Sequence, residues 1–286
     1  MTPALPGRTF LLTPTQIGLL VVLLGGLIFL PGSLKYKLDF LGFGVCHQLG
    51  SHSLIIGGHQ LPLCARCSGI YLGALVALIM LVALRPLAAA LPSGRVLPLL
   101  AFMFSTMVLD GINSTFESIP GATAFYETTN TLRLITGTLA GIALMFVLYP
   151  VFNQSFWRRP LLRRERSLEQ PFELFGYLVA ATIVVGVLLS SVGDPTVGEW
   201  LYWPLALASA AGLLALLVMT NVLIVSTIGR RPGTVLTWQG ALTPLLLALL
   251  LALIELTILA NLRMALTASL MTANSPADLP LVPGLR

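Results

Sequence analysis

The sequence predicts an all-α fold, a polytopic transmembrane bundle of about seven helices, and three observations carry that prediction. Charged residues make up 9% of the 286, where soluble domains carry about 25%. Hydrophobic residues reach 56% and mean hydropathy is +0.92. Apolar stretches of about 20 residues recur, each long enough to cross the hydrocarbon as a helix. The expected spans are 15–34, 68–90, 96–113, 131–151, 174–193, 201–229 and 241–270. The third is short, which leaves six or eight crossings open.

Only Arg8 precedes the first span and no small-residue cleavage site follows it, so it reads as a retained anchor rather than a secretory signal. Gly25 and Gly26 at its centre predict close helix packing. The segment 35–45 is then expected to lie along the interface, with Tyr36, Phe40 and Phe43 at headgroup depth.

All three cysteines and all three histidines fall within residues 46–67. Thiolate and imidazole bind a borderline-soft cation, and a CxxC pair can grip one ion from a single turn. The candidate ligands are Cys46, His47, His59, Cys64 and Cys67, and the ion they suit is Zn2+. A Cys3His shell is closed and tetrahedral, as in structural zinc sites. The same Cys64–Cys67 pair can instead cycle between dithiol and disulfide with Cys46 as resolving thiol, or pack as small apolar side chains.

Gly57 and Gly58 supply a turn that folds the Cys46 end back on the Cys64 end. The second helix is expected to start near Arg66–Ser68, where its dipole and the Arg66 guanidinium favour thiolate at Cys64 and Cys67. Gly69 and Gly73 predict a packing groove.

The third helix is expected to end at Asp110, and Glu117, Glu127, Asn130 and Arg133 follow before the next span settles. Ionisable groups at membrane depth pair or line a pocket. One reading is an Asp110–Arg133 ion pair locking the third helix to the fourth. The other is a polar pocket of Arg66, Asp110, Glu127, Asn130 and Arg133 that holds an anionic lipid or small molecule, with Asp110 as general base. Thr136, Gly137 and Gly141 predict a tight helix contact.

The run 157–167 carries Arg158, Arg159, Arg163, Arg164 and Arg166. Basic residues accumulate in cytoplasmic loops, so residues 153–173 are expected there as a solvated loop near anionic lipid. That loop separates a four-helix module, 1–152, from a three-helix module with a short tail, 174–286. The Cys/His stretch and the loop 193–200 then fall outside the cytoplasm. The +5 charge and pI near 9.4 reflect topology, with the lipid bilayer as partner and no nucleic acid. Glu255 sits mid-helix, where a carboxyl group is either protonated and hydrogen-bonded, with Asn221 as a partner, or part of an ion or proton path. Arg230–Gly233 should turn at the cytoplasmic face, and the tail from Ala273 should be poorly ordered.

Cys46-His47-Gln48, the run Cys64-Ala65-Arg66-Cys67-Ser68-Gly69-Ile70-Tyr71-Leu72-Gly73, Asp110-Gly111, and Asn130 to Gly137 with Gly141 together resemble a prokaryotic membrane family named domain of unknown function 2085. The resemblance spans roughly residues 40–145 and implies a membrane protein with no established activity. His47 is the histidine ligand the family pattern favours. The family has arginine where this chain has His52, and threonine at Ser68. Three classes of function stay open: a metal-stapled pocket, a membrane thiol oxidoreductase, and a non-enzymatic scaffold or assembly subunit. Walker, GxGxxG, GxSxG and CxxCH patterns are absent.

Overall fold

The computed structural model describes residues 12–273 apart from 30, 120, 122 and 230–232. The expectations for Arg8, for the Arg230–Pro232 part of the turn and for the tail beyond Ala273 lie outside the described residues. Eight helices and four short strands follow in the order α1 (Pro14–Phe29), α2 (Leu34–Phe43), β1 (Ser53–Ile56), β2 (His59–Cys64), α3 (Ala65–Leu84), β3 (Ala88–Ala90), α4 (Leu97–Glu117), α5 (Asn130–Phe156), β4 (Arg163–Arg166), α6 (Leu174–Ser191), α7 (Pro195–Ile228) and α8 (Trp238–Ala273). Helices α3 to α8 are each long and apolar enough to cross a membrane, and α1 is a shorter apolar helix.

Helix ends follow local chemistry. The α1 helix is described to Phe29, ahead of Pro31 and of Gly32 at φ 99°. Gly25 and Gly26 do not make the close contact expected of them: a Cβ on Gly26 would meet nothing within 4 Å. The α1 helix leans on α8 instead, where the Gln16 amide donates to the Gln239 carbonyl at 2.8 Å and the Thr243 hydroxyl at 3.2 Å. The α3 helix ends at Leu84, before Arg85-Pro86 and a left-handed Leu87 at φ 58°. The α4 helix runs two turns past Asp110, so that residue lies inside a helix rather than at its end.

The centre of the bundle is the α3–α5 crossing, and its closeness is set by glycine. A Cβ on Gly69 or Gly73 would run into the Leu134 or Thr138 carbonyl of α5. One on Gly137 or Gly141 would run into the Arg66 or Ile70 carbonyl of α3. Across the other side of α3, Gly212 of α7 abuts the Tyr71 carbonyl. Small residues let backbones meet where lipid supplies no hydrophobic drive. The buried side chains Leu81, Ile142, Met145 and Phe146 fill the space beyond.

Helix polarity sorts the loops onto two faces. The hairpin β1–β2, the 118–129 connection, the α6–α7 turn and the end of α8 share one face; Ile56 bridges Val192 across it. The 85–96 and 157–173 connections share the other. There the arginine run is not a free loop: β4 pairs in parallel with β3, and Arg85 meets Glu173 at 2.9 Å.

Candidate metal centre

The site is assembled by a hairpin and a helix start. Gly57 and Gly58 occupy positive φ, 56° and 75°, the conformation of the tight turn whose twist matches paired strands. That turn sets β1 against β2 in antiparallel register, with Ser53 opposite Cys64. Cys64 closes β2 and caps α3, and Cys67 stands in the helix's first turn. Ser68, buried, donates its hydroxyl to the Leu63 carbonyl at 3.2 Å and fixes the strand-to-helix corner.

Cys46 meets the pair from the loop after α2. The Cys64 backbone N–H donates to Cys46 Sγ at 3.1 Å. The ligand atoms of Cys46, His47 and Cys64 lie within 4.8 Å of one another, and Cys67 packs against both of the other cysteines beside Leu63 and Tyr71. All three thiols are free. Cys46 and Cys64 are buried, at 2% and 3% exposure.

The sulfurs share protons unequally. Hydrogen bonds accepted from Cys46 and Cys67 hold Cys64 well below the usual thiol range. Donation to Cys64 is the main cause that pushes the Cys46 thiol up to about 11. His47 is half-buried, and its Nδ1 accepts the Leu49 N–H at 3.1 Å. The His52 ring stands edge-on to it, 5.2 Å away. Burial first, and the charge of Arg133 second, hold His52 below the usual histidine value.

His59 falls outside this cluster. It begins β2 while Cys64 ends it, and five steps of an extended strand span roughly 17 Å. Its exposed ring lies 5.2 Å from Tyr202 instead.

Two residues that the sequence reading left without a role hold the Cys46 loop in place. Gln48, third letter of CHQ, sits buried at φ 51°, an uncommon backbone state for a non-glycine residue. Its amide bridges the Asp39 carbonyl of α2 at 2.7 Å and the Pro62 carbonyl of β2 at 2.5 Å, while Gln60 donates back to its own carbonyl at 2.8 Å. Gly42 leaves room for that brace, since a Cβ there would collide with the Pro62 carbonyl.

The second is Arg263 of α8. Its guanidinium donates to the Phe43 carbonyl at 3.2 Å and to the Cys46 carbonyl, and stacks 4.6 Å from the Phe43 ring centre. The signal available was chemical: an arginine within an apolar helix must find acceptors.

The acidic and basic candidates divide into two braces. Asp110, 1% exposed, takes Arg66 rather than the expected Arg133. Arg66 Nη2 and Nε reach its Oδ2 at 2.5 and 3.1 Å, and the Tyr126 hydroxyl donates to Oδ1 at 3.2 Å. Arg133 donates to Asn130 at 3.1 Å, Ser114 at 3.1 Å and Thr128 at 2.5 Å, with Glu117 at 3.6 Å. Asn130 in turn reaches the Ser51 carbonyl at 3.0 Å, tying α5 to the hairpin. Glu127 is exposed and stands apart from both. Within α4, Asp110 and Gly111 lie against the Arg66 guanidinium at the start of α3, while Arg133 meets Ser114 and Glu117 in the two turns of α4 beyond Asp110.

Asp110→Asn therefore strands Arg66 beside a neutral amide. Removing one partner of a buried pair costs roughly 3–5 kcal/mol, and Arg66 keeps 17% exposure, so about 3 kcal/mol of destabilisation is expected. Thermal unfolding in detergent measures it, and the double substitution Arg66→Met with Asp110→Leu should recover much of the loss. An Asp110→Asn variant as stable as the parent would refute the brace.

Comparison with known proteins converges on the same region. A family model described as "Predicted membrane protein (DUF2085)" matches residues 46–147. An uncharacterized protein of Methanocaldococcus jannaschii is 30% identical over 115 residues, covering 40% of this chain and 68% of that one. An uncharacterized protein of Methanothermobacter thermautotrophicus is 34% identical over 102 residues, covering 35% of this chain and 80% of its own. No solved structure matches.

Proposed function

Given that the chain belongs to the domain of unknown function 2085 family of membrane proteins, we propose that Cys46, His47, Cys64 and Cys67 hold one Zn2+ ion that staples the hairpin loop to the start of α3. The observation that carries this reading is the convergence of the Cys46 and Cys64 sulfurs and a His47 imidazole nitrogen within 4.8 Å; Cys67 lies outside that group and packs against the cluster of Cys46, Leu63 and Cys64. A shell of three thiolates and one imidazole is closed and leaves no position for a substrate. The ion's work is therefore structural: it anchors a membrane module on a fixed extramembrane loop.

Burial weighs against the thiol oxidoreductase. An attacking thiolate needs access to its substrate's disulfide, and Cys64, the sulfur held lowest, is 3% exposed. Arg66 is committed to Asp110, and the two Nη atoms of Arg133 to Asn130, Ser114 and Thr128, with the buried Arg133 Nε left without a partner; this favours bracing of α3, α4 and α5 over capture of an anionic ligand. On the positive-inside argument, the 153–173 loop is cytoplasmic and the metal hairpin extracytoplasmic. The chain then reads as a metal module before the arginine loop, with helices α1 to α5, and a second module of α6 to α8, whose α8 lends Arg263 to the metal loop.

Metal analysis of detergent-purified protein should find about one zinc per chain. Thiol titration should find all three thiols only after denaturation with a chelator. Recovery of metal-free protein with a Cys64–Cys67 disulfide would favour the redox reading instead. Ligation must expel the Cys46 proton, because that thiol stays protonated up to about 11. Apparent zinc affinity should accordingly fall roughly tenfold per pH unit lowered for each proton released. Calorimetric titration in buffers of different ionisation enthalpy counts those protons.

A further inference from the structure

The opposite face carries a second feature that the metal reading does not use. Between α7 and α8 lies a cavity of about 380 Å³, walled by Phe156, Val222, Val225, Val235, Leu247 and Leu251. Beside it opens a cleft of about 360 Å³ lined by Gln154, Arg158, Arg159, Pro160 and Gly233. The two spaces are lined by neighbouring residues of the same two segments, 154–160 and 233–235. Gly233 N–H donates to the Ser155 carbonyl at 2.7 Å, Val235 N–H to the Phe156 carbonyl at 3.1 Å, and Arg158 N–H to the Val235 carbonyl at 2.9 Å. This short parallel bridge, with Trp157 and Trp238 packed edge to face at 4.8 Å, lies where the apolar lining at Phe156 and Val235 gives way to the cleft lining at Arg158 and Gly233.

The two compartments differ in chemistry in the way the two ends of a lipid do. Val225 and Leu247 keep 56% and 50% exposure, so the cavity is open at apolar positions of two helices long and apolar enough to cross a bilayer. Its volume is at the low end of the roughly 300–1,000 Å³ of small-molecule sites, room for one chain rather than two. Arg158 and Arg159 are exposed, and no acidic side chain pairs with either among the described residues. Guanidinium suits the bidentate grip of a phosphate. At the cavity's inner end Asn221 binds Glu255 at 3.0 Å, which closes the space toward the membrane centre.

We propose that this composite pocket is a binding site for an anionic phospholipid, its phosphate on Arg158 and Arg159 and one hydrocarbon chain between α7 and α8. The lipid belongs to the leaflet on the arginine-loop side, where anionic headgroups and basic residues meet. The site is independent of the zinc reading.

The test is native mass spectrometry of delipidated, detergent-solubilised protein titrated with phosphatidylglycerol or with phosphatidylcholine of the same chain length. The parent should take up one phosphatidylglycerol per chain at least tenfold more tightly than phosphatidylcholine. Arg158→Gln with Arg159→Gln should remove the preference. Leu247→Trp and, separately, Val225→Trp should fill the cavity and weaken phosphatidylglycerol at least tenfold while zinc content stays at the parent's value. Equal affinity for the two lipids would overturn the proposal. So would tight phosphatidylglycerol binding that survives both tryptophan variants, or full displacement of the lipid by millimolar inorganic phosphate, since either result leaves the chain unseated.

Discussion

Cys64→Ser should yield protein without zinc whose hairpin is no longer fixed to the bundle. Cys64 is the hub of the cluster: its N–H supports Cys46 Sγ, and its sulfur accepts hydrogen bonds from Cys46 and Cys67. A ligand that binds only the folded state contributes stability by mass action, about 4 kcal/mol when free zinc exceeds Kd a thousandfold. That contribution disappears with the ligand. The α3–α5 crossing does not depend on the ion, so loss should be local. Amide hydrogen exchange should quicken across residues 46–64 while the core of α5 stays protected. Unchanged zinc content in the variant would remove Cys64 from the shell.

The second large effect is expected at the crossing itself. Gly141→Val would drive a Cβ into the Ile70 carbonyl and within 2.8 Å of the Ala74 nitrogen. Both obstacles are backbone, so no rotamer change relieves the contact and the helices must part. Ordinary overpacking costs about 1–3 kcal/mol; here the cost should exceed that range, and the variant should aggregate on size-exclusion chromatography. Gly26→Val serves as the control, because its Cβ meets nothing within 4 Å. Equal behaviour of the two variants would show that the glycines do not set the helix spacing.

Much of this was legible before any coordinates. Spans are readable because crossing a bilayer demands an uninterrupted apolar length, and the glycines of GIYLG and of 137–141 announce a close crossing because nothing larger fits one. The Cys/His cluster is readable because the chain keeps its soft donors in one short stretch. Gln48, Arg263 and the partner of Asp110 were not, for one reason in three forms. Arg263 reaches Cys46 across 217 residues and Asp110 reaches Arg66 across 44, and no local pattern encodes which distant acceptor a charge will meet. Gln48 acts through a left-handed backbone and two carbonyls, features that composition does not register. His59 misled because its distance from Cys64 depends on whether the intervening residues are coil or strand. The expected span 68–90 ran through Pro86, and α3 ends before it, at Leu84, shorter than hydropathy alone suggests.

The proposed zinc shell is tested most directly by the coordination of the ion itself. X-ray absorption at the zinc edge of the purified protein should give a four-coordinate ion with three sulfurs near 2.3 Å and one nitrogen near 2.0–2.1 Å, the nitrogen lost in His47→Ala and retained in His59→Ala. A spectrum dominated by oxygen ligands, or one in which His59→Ala removes the nitrogen, would contradict it.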